Sequence, residues 1–187
     1  NGFTFASWTF REAPKFFDIV TWSGTGVARD VPHSLGVAPG VIIIKKRNAG
    51  QNWTVYHRSS GPDYNLVLNS TAAQAFNSGI FPRVTSTSFG IDYVNDYNAS
   101  GSNYIAYLFA HDTSPTGLIQ CGSYTGNGSA TGPVVTLGWA PQWLLIKRAT
   151  GGSAHGWVLL DNVRGLGVSD PFLIANTTDI EYSVQFL

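Results

Sequence analysis

At 187 residues the chain has room for one large domain or two small ones. Its 43% hydrophobic and 13% aromatic content supplies a packed core and excludes global disorder. Only 12% of residues are charged, and 11 basic side chains balance 11 acidic ones. No basic stripe for nucleic acid is visible, and no apolar run approaches the ~18 residues of a membrane-spanning helix, so neither nucleic acid nor membrane insertion is expected.

Polarity is carried by Ser, Thr, Asn and 21 Gly, a composition suited to turns rather than to solvated helix faces. The first expected strand is Phe5–Phe10, where Phe5, Ser7 and Thr9 alternate with Ala6, Trp8 and Phe10. Val41–Ile44 follows as an apolar run of strand length. Ser70–Phe76, through Thr71-Ala72-Ala73-Gln74, is the one stretch suited to a helical turn. Ile91–Val94, Tyr104–Phe109 and Trp143–Ile146 are further short strands, β-branched, aromatic or aliphatic. Turn signals recur at Ser23-Gly24, Asn77-Ser78-Gly79, Ser100-Gly101 and Gly126-Asn127-Gly128. Short strands, Gly-rich turns and no amphipathic helix predict an all-β, antiparallel sandwich or jelly roll.

The sequence repeats itself. Thr21–Gly26 returns as Ser123–Gly128, Leu35-Gly36-Val37-Ala38-Pro39 as Leu137-Gly138-Trp139-Ala140-Pro141, and Ile42–Lys46 as Leu144–Arg148, all displaced by 102. Trp53-x-Val55 matches Trp157-x-Leu159 at 104, and Leu66–Asn69 matches Leu173–Asn176 at 107. Phe5–Phe10 matches Tyr104–Phe109 at 99. The expected organisation is therefore residues 1–13 as the closing strand of a preceding or permuted unit, 14–112 as a complete unit, and 113–187 as a second, incomplete one. Either the chain is an excerpt of a longer array, which the absence of Met also fits, or its first strand folds back to close the second unit.

In both copies Gly permits a positive φ and Pro fixes the corner that feeds the next strand. Both strands end on a basic pair, Lys45-Lys46 and Lys147-Arg148. A charged strand end that blocks edge pairing is the favoured reading, contact with anionic glycans the sharper one.

The two Glu, Glu12 and Glu181, and the scattered Asp show no pairing for glycoside hydrolysis. His33, His57, His111 and His155 show no spacing for a metal site, and Cys121 has no His close in sequence. The expectation is a non-enzyme without cofactor or metal; calcium held through Asp92–Asp96 stays open. Asn-x-Ser/Thr occurs at Asn52, Asn69, Asn98, Asn127 and Asn176, a pattern that a turn-rich composition produces by chance. For ligand binding, Trp53 and Trp157 occupy matching positions, each with a polar residue four further on, His57 and Asp161. They are the candidate sugar site, weighed against the favoured reading that a Trp kept in both copies packs the core. Trp139 and Trp143 lack Trp counterparts and are read as surface residues or contacts with a neighbouring subunit.

The strings Ala6–Asp18, His33–Gly40, Trp53–Arg58 and Gly122–Gly128 are similar to motifs of tail-fibre-like virion proteins of tailed bacteriophages, especially marine ones. The resemblance spans essentially the whole chain. It implies tandem concanavalin-like β-sandwich units in a virion appendage that contributes to host attachment. It also implies other virion proteins as partners, a homo-oligomer (a trimer), and location in the virion after assembly in the host cytoplasm. A carbohydrate-binding adhesin recognising host surface glycans is the alternative. A capsid-decorating protein and a glycan depolymerase come after it. The resemblance supplies no catalytic residue or ligand site.

Overall fold

The computed structural model describes residues 2, 7–129, 131–151, 154–167 and 170–182. In chain order it holds β1 (Phe17–Ser23), β2 (Arg29–Pro32), β3 (Pro39–Lys46), β4 (Thr54–His57), β5 (Tyr64–Val67), β6 (Ala75–Phe76) and β7 (Ser88–Ile91). A four-residue helix α1 (Val94–Tyr97) precedes β8 (Asn103–Ala110), β9 (Trp143–Ile146), β10 (Val158–Asp161) and β11 (Leu173–Ile174). The fold is all-β. Among the described residues the strands form a six-stranded sheet ordered β1-β8-β3-β4-β5-β6, a three-stranded sheet β11-β10-β9 and a two-stranded sheet β2-β7. All named strand pairs are antiparallel. Among the described residues no sheet closes on itself.

Strand alternation sorts the large sheet into two faces. Ile42, Ile44, Tyr104, Ala106 and Leu108 share one face and are buried with Val31, Phe89 and Ile91 of the two-stranded sheet and with Leu35, Ile80 and Phe81. Side chains such as Ile42 and Ile44, with 0% and 1% exposure, each contribute about 1.5–3 kcal/mol by leaving water. The opposite face carries Val41, Ile43, Val55 and Leu66, and Leu145, Ala149 and Trp157 pack there. The small sheet thus covers one face of the large one, and the three-stranded sheet covers part of the other.

The sequence repeat has a direct structural counterpart. In the large sheet β3 and β4 pair Ile44 with Thr54, Ile43 with Val55, Ile42 with Tyr56 and Val41 with His57. In the three-stranded sheet β9 and β10 pair Ile146 with Val158, Leu145 with Leu159, Leu144 with Leu160 and Trp143 with Asp161. Displacements of 102 and 104 carry every pair of the first set onto one of the second. Likewise Thr54–Val67 and Val55–Leu66 map onto Val158–Ile174 and Leu159–Leu173. The turns agree as well: Gly36 and Gly138 have φ of 75° and 83°. Gly61 and Gly165, at 81° and 109°, turn back to donate to the carbonyls of His57 and Asp161.

Several local expectations are corrected. Ser70–Phe76 forms no helical turn: Ala75–Phe76 is β6, and the loop before it is fixed by bonds from the other sheet, with Lys147 Nζ and the His155 N–H both donating to the Thr71 carbonyl. The strand expected at Ile91–Val94 ends at Ile91, and Val94–Tyr97 is helical. Of the strand expected at Phe5–Phe10, residues 5–6 lie outside the described residues and Ser7–Phe10 has no strand pairing. The stretch 119–125, displaced by 102 from β1, is not a strand.

Candidate functional site

Both candidate tryptophans lie in the same local clamp. The Trp53 N–H donates to Asn69 Oδ1 at 2.9 Å, and the Trp157 N–H donates to Asn176 Oδ1 at 2.7 Å. Their carbonyls accept from Leu68 and Ala175 at 2.9 and 2.8 Å. The side chains then diverge. Trp157 is 6% exposed, packs on Val55 and Leu66, and donates its indole N–H to the Val67 carbonyl at 2.9 Å. It pins the three-stranded sheet to the large one. Trp53 is half-buried, stacks on Tyr107 with ring centroids 6.2 Å apart, and carries Lys45 Nζ 5.7 Å from its ring.

His57 and Asp161 also do the same job in their two sheets. Each ends its strand and accepts the N–H two residues on, His57 Nδ1 from Ser59 at 3.2 Å and Asp161 Oδ1 from Val163 at 3.1 Å. Acceptance at Nδ1 requires the neutral ring with its proton on Nε2. Burial, helped by Arg58 and His111, holds the His57 pKa below the usual imidazole value. Burial alone would raise the Asp161 carboxyl. The Arg164 backbone N–H and guanidinium outweigh it and hold the carboxyl low. Both groups are consumed in turns.

The basic strand ends follow the same rule. Lys45 Nζ donates to the Gln51 carbonyl, and Lys147 Nζ donates to the His155 carbonyl at 2.6 Å. Gln51 and His155 are themselves counterparts, displaced by 104. These two lysines tie down the loop after the strand, a role that neither reading of the sequence anticipates. Asn98, in one of the Asn-x-Ser patterns, is fully buried; its amide donates to Thr25 Oγ1 and to the Val27 carbonyl at 2.8 and 2.6 Å. Asp92 is engaged by the Arg83 guanidinium through two bonds of 3.1 and 2.9 Å. Among the described residues no three His, Cys, Asp or Glu side chains gather as a metal cluster, and no helix is long and apolar enough to cross a membrane. Burial pushes the Cys121 thiol up to about 12, so it is no nucleophile at neutral pH.

A concave feature lies elsewhere. A cleft of about 680 Å³ opens where β4, β5 and β6 meet α1, lined among others by Gln51, Asn52, Asn65, Asn77, Asp96 and Tyr97. Tyr97 Oη and Thr54 Oγ1 lie 3.0 Å apart on its floor. Burial raises the Tyr97 phenol above its ordinary pKa, so it stays a neutral hydroxyl. Gln51 Oε1 and Asn65 Oδ1 are buried without a hydrogen-bond partner, and Asn65 is only 6% exposed. Unpaired buried carbonyl oxygens are costly. None of Trp53, His57, Trp157 or Asp161 is among the residues lining the cleft. The signal that marks it is divergence between the copies: Thr54 and Asn65 correspond to Val158 and Phe172. A smaller cleft of about 380 Å³ is lined by Pro39, Tyr56, Arg58 and His111, with Val37, Ala38 and Val84.

No curated protein and no solved structure matches the chain. A family model described as a domain of unknown function (DUF7483) matches residues 10–186, and the chain belongs to that family.

Proposed function

We propose that the chain is a structural module of a bacteriophage virion appendage, a tail fibre or related part, that contributes to host attachment and catalyses no reaction. In this reading its sheets belong to tandem sandwich-like units, residues 14–112 and 113–187 with 1–13 as a closing strand, and the module assembles as a homo-oligomer with other virion proteins. The likeness of its long motifs to tail-fibre-like proteins supports the appendage. The observation that carries the structural role is the shared register of two sheets pinned face to face by Trp157. The reactive side chains are spent on that construction: His57 and Asp161 close turns, Lys45 and Lys147 tie loops, and Cys121 is buried. Antibodies against the chain should label the appendage of purified particles in electron micrographs. Labelling confined to the capsid shell, or turnover of host polysaccharide by the purified chain, would overturn this reading.

The cleft favours a second role, binding of a neutral host-surface glycan. Its lining by Gln51, Asn52, Asn65, Asn77 and Asp96, rich in amide and carboxylate groups, suits a ligand rich in hydroxyl groups. Glycan-array binding should weaken at least about tenfold in Asn65→Ala with the fold unchanged, since a site built to pair hydroxyls depends on each partner. Absence of any glycan signal from the folded chain would leave the module purely structural.

A further inference from the structure

We propose that Ser7–Phe10 is the closing strand of the three-stranded sheet, laid along the free edge of β9 as β8 is laid along β3. The chain would then be a tandem repeat closed by its own opening segment.

The edge itself is the first observation. β3 is flanked by β4 and β8, whereas β9, its counterpart, has β10 as its only strand neighbour among the described residues. Four apolar residues on an unpaired edge form a template for another strand.

The register names the occupant. Along β3, Phe109 lies opposite Val41, Leu108 opposite Ile42, Tyr107 opposite Ile43 and Ala106 opposite Ile44. The sequence displacements convert these pairs into Phe10–Trp143, Thr9–Leu144, Trp8–Leu145 and Ser7–Ile146. The first of them is already in contact: the Phe10 and Trp143 rings lie 6.1 Å apart at 81°. Next along the segment, the Arg164 guanidinium sits 5.5 Å over the Trp8 ring. Arg164 follows β10 closely, so it fixes Trp8 beside the same sheet.

The facing is also correct. Side chains at Phe109 and Val41 share the face of the large sheet on which the three-stranded sheet packs. Phe10 lies against that face, 5.6 Å from Phe17 and 5.7 Å from Phe109, its own counterpart in the repeat. A segment displaced by one residue would turn Phe10 to the other side. Ser7–Phe10 makes no ladder bonds in the structure, and the ladder is what we infer.

Directly opposed residues of an antiparallel pair have Cα atoms about 4.5–5.5 Å apart, within disulfide range. Thr9→Cys with Leu144→Cys keeps the Phe10–Trp143 contact, and Cys121 is buried. Oxidation of the full chain should give a disulfide within one chain. A disulfide between two chains, which assigns the edge to a second copy, overturns the proposal, as do free thiols in a folded chain. Amide hydrogen exchange supplies a reading on the unaltered protein. The amides of Trp143–Ile146 that point away from β10 should exchange about tenfold or more slowly in it than in Trp8→Pro, which removes a ladder donor, since Trp8 is the counterpart of Tyr107 and the odd-numbered residues of β8 turn their backbone groups toward β3. Equal rates would contradict the pairing.

Discussion

The large sheet and the three-stranded sheet are the same hairpin sequence in two settings. Their registers coincide pair for pair, and so do the Asn clamp on the Trp N–H, the Lys tie to the following loop and the polar acceptor at the strand end. Their burial differs. Ile42 and Ile44 are fully enclosed under the two-stranded sheet, while Leu144 and Ile146 remain half-buried. Register is therefore written locally, into turns and side-chain caps, and survives a change of surroundings. Burial depends on neighbours, and only the first hairpin has β8 on its other side and β2 and β7 over its core face.

The sharpest way to break this comparison is to truncate the two tryptophans. Trp157→Ala should cost about 3–5 kcal/mol in denaturant unfolding, because it empties a buried site and orphans the Val67 carbonyl. Trp53→Ala, at a half-exposed position, should cost roughly 1–2 kcal/mol. Equal losses would mean that the equivalence extends beyond the backbone. The Asn clamps probe the shared part instead. Asn69→Ala and Asn176→Ala should each lose about 1 kcal/mol, because each removes a bond to a Trp N–H, with Asn69→Ala losing slightly more through its exposed bond to Asn52 Oδ1.

The smallest expected effect concerns pH. His33, His57 and His111 are all held below the ordinary imidazole pKa, each first by burial. The unfolded chain binds protons on these rings more readily, so stability is complete above about pH 6.5 and falls as pH drops below it. His57→Asp installs the acceptor of the other hairpin. It should keep the turn at pH 7 and flatten the decline between pH 7 and 5, followed by thermal unfolding at each pH. An unchanged decline would remove His57 from this account.

Much of the strand layout could be read in the sequence, because each strand is bounded by turn residues with a mechanism. Trp143–Ile146 emerged with its limits intact, and Val41–Ile44 as the centre of β3. What failed was decided by distant partners. Thr71 to Gln74 has helix-forming residues, yet Lys147, His155 and Ala149 hold it as a docking loop. Val94–Tyr97 is a single turn, too short to show a helical period. The cleft was invisible because its lining comes from segments between Lys45 and Tyr97, brought together by the sheet. The pair kept in both copies, Trp53 and Trp157, is shared because it builds the repeat. The residues that differ between the copies, such as Asn65 against Phe172, mark the cleft.

Cross-strand nuclear Overhauser contacts in the labelled full chain test the repeated register most directly. Leu145 should face Leu159, and Leu159 should face Leu173, just as Ile43 faces Val55 and Val55 faces Leu66. A ladder shifted by one residue in the three-stranded sheet, or none there while the large sheet remains intact, would contradict a register carried by the hairpin itself.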